Sequence, residues 1–334
     1  MCVMFEEIKK KELLLLWKDF PQVAKYITNY GINIPESKGV SLEDYLNNIS
    51  EETYEEIGID RISLFVNIEG FVEKNEASRN VEDNIKSITI IGGYDKSGNK
   101  EDIEFELTVG SITGIVGPTG SGKSRLLADI EWMADKDTPT GRQILINGKI
   151  ADKKSRFDPQ KKLVAQLSQN MNFVMDASVG EFIQMHAESR FVTNADKAVK
   201  EVICNANKLA GESFSETSPL TSLSGGQSRA LMIADVAFLS SSPIILIDEI
   251  ENAGIDRKMA LSLLVDKEKI VLISTHDPIL ALLADKRFVI SNGGISQIIQ
   301  TSEEEISILS KLENLDNKVQ SLRNQLRRGE KIKF

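Results

Sequence analysis

The chain has 334 residues, 41% hydrophobic and 27% charged, a balance that supports a folded core and excludes wholesale disorder. Its formal net charge of −10 argues against a chain-wide electrostatic footprint for nucleic acid. Two cysteines, Cys2 and Cys204, exclude a disulfide framework or a cysteine zinc site, and no apolar run approaches the ~20 residues that span a bilayer. A soluble cytoplasmic chain is expected, one that reaches a membrane only through a partner.

Residues 1–85 read as an acidic helical N-terminal domain. They hold 17 Asp/Glu against 9 Lys/Arg, so most of the negative charge lies here. Ser41 and Ser50 suit N-caps, Pro21 a helix start and Gly31 a helix stop. The acidic face is either simply solvated or a docking surface for a basic partner.

Residues 86–300 alternate β-branched runs with helical patterns. Ser111 to Val116, Pro243 to Ile247, Ile270 to Ser274 and Arg287 to Ile290 read as strands. Strands interleaved with helices predict an α/β domain on a largely parallel sheet. Asn147-Gly148 and Asn292-Gly293-Gly294 suit hairpin turns near sheet edges. Residues 301–334 carry another period: Ile308, Leu312, Leu315, Val319, Leu322 and Leu326 form an a/d seam. This C-terminal heptad helix either packs on its own domain or pairs with another chain.

Gly117-Pro118-Thr119-Gly120-Ser121-Gly122-Lys123-Ser124 matches the phosphate-binding pattern G-x-x-x-x-G-K-[ST]. It follows an apolar strand and opens a helix whose Leu126, Leu127, Ile130 and Met133 keep to one face, and the candidate nucleotide-binding residues run from Gly117 through Arg125. Glycines let backbone N–H groups curl around phosphate oxygens, and the helix N-terminus adds partial positive charge. Lys123 suits the β- and γ-phosphates, and the Ser124 hydroxyl suits Mg²⁺, a hard ion. The loop alone does not choose among kinases, GTPases and motor ATPases.

Further motifs follow in order. Leu223-Ser224-Gly225-Gly226-Gln227 precedes a helix pattern. The strand Ile244 to Ile247 ends in Asp248-Glu249, and Asp256 lies just beyond it. The strand Ile270 to Ile273 leads to Thr275-His276-Asp277, and Gln169 lies between the P-loop and Leu223. In this order and spacing, residues 86–300 resemble the ATP-binding cassette (ABC) ATPases. The resemblance implies a P-loop ABC-type domain with a mixed sheet core and a helical subdomain.

It also implies roles, with ATP and Mg²⁺ as the ligands. Asp248 would hold Mg²⁺ through water. Glu249 would be the general base for water attack on the γ-phosphate. Gln169 would contact Mg²⁺ and that water. His276 would bond the γ-phosphate and hold Glu249 in place. Ser224, Gly225, Gly226 and Gln227 would cap the ATP of an opposite cassette in a head-to-tail dimer, with Asp256 at the same seam. Tyr94, 29 residues before Lys123, falls where the family often stacks an aromatic on adenine; a turn residue is the other reading, with Phe105 the fallback. His186 reads as an ordinary residue of the helical subdomain.

Two departures stand out. The family's transport cassettes usually place Pro after the catalytic Glu, whereas here Ile250 follows, and Gly254-Ile255 replaces Ala-Leu. About 85 residues precede the first strand. The expected activity is ATP hydrolysis that drives a separate partner, either a membrane permease or a soluble target. An ATP-sensing module or adaptor without turnover is the alternative.

Overall fold

The structure is a computed structural model that describes residues 39–68, 85–151, 163–168, 173–190, 194–249 and 255–331, with single positions elsewhere. The chain divides into two compact units. One spans Met1–Asp83 with Phe191–Thr193, and the other holds Asn84–Arg190 and Asn194–Phe334. Among the described residues, no helix is long and apolar enough to cross a membrane.

The first unit contains helices α1 (Leu42–Asn47) and α2 (Glu51–Ile57), and residues 61–68 are also helical. Ser41 caps α1 by accepting from the Asp44 amide, and Ser50 accepts from the Thr53 amide at 3.2 Å ahead of α2. The unit has its own core of Leu13, Val23, Ile27, Ile32, Leu42, Leu46, Leu64 and Ile68. Pro21 and Gly31 lie outside the described residues.

The second unit is built on two sheets. Strands β1 (Ser87–Ile91), β2 (Glu104–Thr108), β4 (Gln143–Ile146) and β5 (Lys149–Ile150) form an antiparallel sheet in the order β2-β1-β4-β5. The larger sheet runs β10-β9-β3-β8-β7-β6. Its members are β3 (Ile112–Val116), β6 (Val164–Leu167), β7 (Ile244–Asp248), β8 (Ile270–Ser274), β9 (Lys286–Ser291) and β10 (Gly294–Gln300). All its pairs are parallel except the β9–β10 hairpin at one edge.

Both hairpin turns carry left-handed residues in sequence, Asn147 (φ 48°) with Gly148 (φ 75°), and Asn292 (φ 50°) with Gly293 (φ 86°). That pair of conformations matches strand twist in a two-residue hairpin, which is why Asn-Gly marks both sites.

The larger sheet is covered on both faces, so its central strands are apolar throughout rather than alternating. On β7 and β8, Ile244, Leu246, Ile270 and Leu272 face one core. That core also holds the antiparallel sheet's Ile88, Ile90, Leu107 and Ile144 and, on helix α3 (Lys123–Glu131), Leu126, Leu127 and Ile130. Ile245, Ile247, Val271 and Ile273 face the opposite core. Helices α4 (Val179–Ser189), α5 (Ala195–Leu209) and α6 (Gly225–Leu239) pack on one another, and Ala230, Ile233 and Ala237 of α6 enter that second core. So do Ala260, Leu261 and Leu264 of α7 (Arg257–Asp266) and Leu280 of α8 (Pro278–Leu283).

The long C-terminal helix α9 (Glu303–Arg327) packs against α8 and belongs to this unit. Ion pairs of Arg287 with Glu305 and of Arg257 with Asp316 tie it down, and Leu309 is buried. The seam residues Ile308, Leu315, Val319 and Leu326 stay exposed on its outer side.

Candidate nucleotide site

Parallel pairing of β3, β8 and β7 puts their C-terminal ends on one edge, where ligands bind in open α/β sheets. The P-loop follows β3, Asp248 ends β7 with Glu249 just beyond it, and His276 follows β8. Residues far apart in sequence therefore meet at one place.

The P-loop has the backbone that its glycines allow. Gly117 (φ 153°) and Gly122 (φ 113°) pass so close to the β9–β10 hairpin that a Cβ would lie 2.4 Å from the Ile290 carbonyl or 2.7 Å from the Gly293 Cα. Gly122 occupies the N-cap of α3, and having no side chain it leaves the first amides of the helix open to an anion. Lys123 is only 7% exposed. Its Nζ donates to the carbonyls of Gly117 (2.9 Å) and Pro118 (3.2 Å) and lies 3.1 Å from His276 Nε2. No carboxylate pairs with it among the described residues. A sequestered ammonium held only by carbonyls and an imidazole fits an anionic ligand, because a buried charge calls for a counter-charge.

Glu249 Oε1 lies 3.7 Å from His276 Nε2. The Glu249 backbone is left-handed (φ 51°), a conformation that costs a non-glycine residue about 1–2 kcal/mol and gathers at functional sites. Its amide is fixed to the Ser274 carbonyl at 3.0 Å. Asp248 sits opposite Ser274 in the β7–β8 register, and Ser124 is exposed in the first turn of α3. No group of three or more His, Cys, Asp or Glu able to hold a metal occurs among the described residues. One carboxylate and one hydroxyl fit Mg²⁺ shared with phosphates and water, and not a closed protein cage. Gln169 lies outside the described residues.

Ser224 is the N-cap of α6. Its Oγ accepts from the Gln227 amide at 3.3 Å, and Gln227 Oε1 accepts from the Ser224 amide at 2.8 Å. This capping box gives the motif's Ser and Gln a local role and leaves the α6 N-terminus exposed beside Gly225 and Gly226. Asp256 caps α7 by accepting from the Met259 amide at 2.9 Å. His186 pairs with Asp235 at 3.0 Å inside the helical subdomain, an ordinary structural contact.

Tyr94 is 53% exposed. Its loop reaches the P-loop, since Lys96 Nζ donates to the Gly120 carbonyl at 2.7 Å. Phe105 stacks edge-on against Phe288, with ring centroids 5.4 Å apart, and belongs to the core. Thr119 and Arg125 are exposed, at the loop and on the first turn of α3.

Sequence reasoning missed one group, a buried ionic cluster under this site. Arg142 has no exposed surface and forks onto Glu101, Nε to Oε2 at 2.8 Å and Nη2 to Oε1 at 2.7 Å. It also donates to Asp129 Oδ2 of α3 (2.9 Å) and to the Gly293 carbonyl (2.7 Å). Burial alone would raise the Glu101 carboxyl. The Arg142 fork and the amides of Gly93 and Ile295 more than reverse this and hold it below the usual range. Nothing local in sequence marks Arg142, because its partners come from three distant segments.

A family profile described as ABC transporter matches residues 100–252. An uncharacterized ABC transporter ATP-binding protein of Methanocaldococcus jannaschii is 56% identical over 249 residues, covering 74% of this chain and 95% of that protein. The energy-coupling factor transporter ATP-binding protein EcfA2 of Caldanaerobacter subterraneus subsp. tengcongensis is 30% identical over 243 residues, covering 68% of this chain and 82% of EcfA2. Among solved structures, cbiO1 from Clostridium perfringens, part of the ABC transporter complex cbiONQ, matches in fold with a TM-score of 0.52 at 22% identity, covering 71% of this chain and 100% of that one. With the motifs, the two-sheet fold and these relatives together, the chain belongs to the ABC ATPase family, as an ATP-binding protein of the transporter type.

Proposed function

We propose that this chain binds and hydrolyses Mg-ATP and uses the cycle to drive a membrane transport partner. The observation that carries the reading is the cluster in which Lys123 Nζ, His276 Nε2 and Glu249 Oε1 follow one another at 3.1 and 3.7 Å. Lys123 releases its carbonyl contacts and takes the β- and γ-phosphates, with the α3 amides around them. Ser124 and, through water, Asp248 would hold Mg²⁺, with Gln169 as a further contact; when bound, the ion would neutralise charge on the phosphate oxygens. Glu249 accepts the proton of the attacking water as its oxygen bonds the γ-phosphorus and the bond to the β–γ bridging oxygen breaks. ADP and phosphate leave. His276 bonds the γ-phosphate and holds Glu249 in line.

Ser224, Gly225, Gly226 and Gln227 present an exposed helix N-terminus capped by its own Ser224 and Gln227, which suits the γ-phosphate of an ATP held by a second copy. Asp256, already a helix cap, lies at the same seam. Two ATP then act as glue between two cassettes, and hydrolysis loosens them. Tyr94 stacks on adenine. The likeness to transporter ATP-binding proteins favours a transporter over a soluble target, and the chain would then act at the cytoplasmic face of the membrane. An ATP sensor without turnover predicts a broken catalytic set, whereas Lys123, Asp248, Glu249 and His276 are all present.

Light scattering on the Glu249→Gln protein tests the dimer. Mg-ATP should convert it to a dimer carrying two ATP, and ADP should leave it monomeric. A mass that stays monomeric at saturating ATP would sink the head-to-tail reading.

A further inference from the structure

The tip of the β9–β10 hairpin is stitched to both loops that flank the candidate nucleotide. On one side, the Gly293 amide donates to the Ser121 carbonyl of the P-loop at 2.6 Å. On the other, the Lys96 amide donates to the Asn292 carbonyl at 2.8 Å, and Asn292 Nδ2 donates to Ser97 Oγ (2.7 Å) and Asp95 Oδ2 (3.2 Å) of the Tyr94 loop. Arg142 fixes this tip from below. One guanidinium holds the Gly293 carbonyl, Asp129 on the P-loop helix, and Glu101. Glu101 in turn accepts from the amides of Gly93, next to Tyr94, and Ile295, just past the hairpin turn.

A buried ionic cluster is weak evidence of added stability, since apolar replacements are often as stable. Its fixed fork geometry, however, imposes one arrangement on the segments it joins. The segments joined here are those that would grip the phosphates and the base.

We infer that Arg142 is a positioning residue: through the Asn292–Gly293 turn it sets the register of the Tyr94 loop against the P-loop, and so the preference for a nucleoside triphosphate over a bare triphosphate. The inference rests on the proposed reading of ATP at the P-loop with its base against Tyr94. Bare tripolyphosphate engages only the P-loop, so it reports phosphate binding without the base.

The test is titration calorimetry of the full chain with Mg-ATP and with Mg-tripolyphosphate, beside a melting curve. The wild-type protein is measured first. If it shows no preference for ATP over tripolyphosphate, the underlying reading falls and the inference with it. Given that preference, Arg142→Lys keeps the charge but not the fork. Its ratio of ATP to tripolyphosphate affinity should drop about fivefold or more, the lower end of what base stacking is worth. Asn292→Gly keeps the left-handed turn and the backbone bond to Lys96, removes only the Nδ2 bonds to Ser97 and Asp95, and should narrow the ratio in the same direction without lowering the melting temperature. It decides the matter if Arg142→Lys fails to fold. A purely structural cluster would lower the melting temperature and leave the ratio as in wild type; that result, in a folded Arg142→Lys protein or in Asn292→Gly, overturns the inference.

Discussion

Lys123 Nζ and His276 Nε2 lie 3.1 Å apart although 153 residues separate them. The contact exists because β3 and β8 are parallel neighbours, so the loop after each emerges on the same edge. Within this cluster Lys123 brings the charge that an anion would meet, and His276 links it to Glu249.

Lys123→Met should weaken ATP binding by about 10- to 150-fold, the range expected for losing charge-assisted hydrogen bonds worth ~1.5–3 kcal/mol. The same change removes a sequestered charge that has no carboxylate partner among the described residues, so the melting temperature without nucleotide should hold or rise. Fluorescence titration with a labelled ATP analogue, beside a thermal melt, reads both. Unchanged ATP affinity in a folded variant would remove Lys123 from the phosphate site.

Ser224→Asp separates the two roles of the signature motif. Aspartate caps a helix about as well as serine, so stability should stay within about 0.5 kcal/mol. A carboxylate at that N-terminus would, however, face the γ-phosphate of the opposite ATP. ATP binding by the monomer should survive, while ATP-driven dimerisation and turnover should be lost. A variant that still dimerises and turns over would show that Ser224 serves only as the cap of α6.

Glu101 predicts an acid-sensitive fold. Its carboxyl is held below the ordinary glutamate value of 4.5, because the Arg142 fork and two backbone amides outweigh burial. The folded state therefore binds this proton less readily than the unfolded chain does. The stabilisation is complete above the unfolded value and is lost as pH falls through the folded one. Urea midpoints compared at about pH 7 and pH 4 should fall further for the wild-type chain than for Glu101→Gln, which no longer titrates there. Equal falls would mean that other carboxylates carry the acid sensitivity.

Much of the larger sheet was legible in sequence because its strands are continuous β-branched runs buried on both faces. The runs at Ser111 to Val116, Pro243 to Ile247, Ile270 to Ser274 and Arg287 to Ile290 correspond to β3, β7, β8 and β9 within a residue or so at each end. Both Asn-Gly turns were legible for a local reason, since their left-handed backbone selects these residues. The separate antiparallel sheet was not legible. β2 is half-exposed and polar, with Glu104 and Glu106, and β5 is only two residues long.

The heptad of α9 was legible as a stripe, but which side it shows was not. The helix turns Leu309 inward and is pulled onto its own unit through Glu305 and Asp316, whose partners Arg287 and Arg257 carry no local signature. For the same reason the Arg142 cluster escaped: an ionic network across three segments has no period and no motif.

Whether Glu249 drives ATP hydrolysis is read by phosphate release from Mg-ATP by the wild-type chain and by Glu249→Gln, with nucleotide binding followed in parallel. The wild-type protein should release phosphate in a magnesium-dependent way. Glu249→Gln should lose about 10²- to 10⁴-fold of that rate, with ATP still bound. Full turnover by Glu249→Gln, or none by the wild-type chain under conditions where it binds Mg-ATP and dimerises, would contradict hydrolysis driven by Glu249.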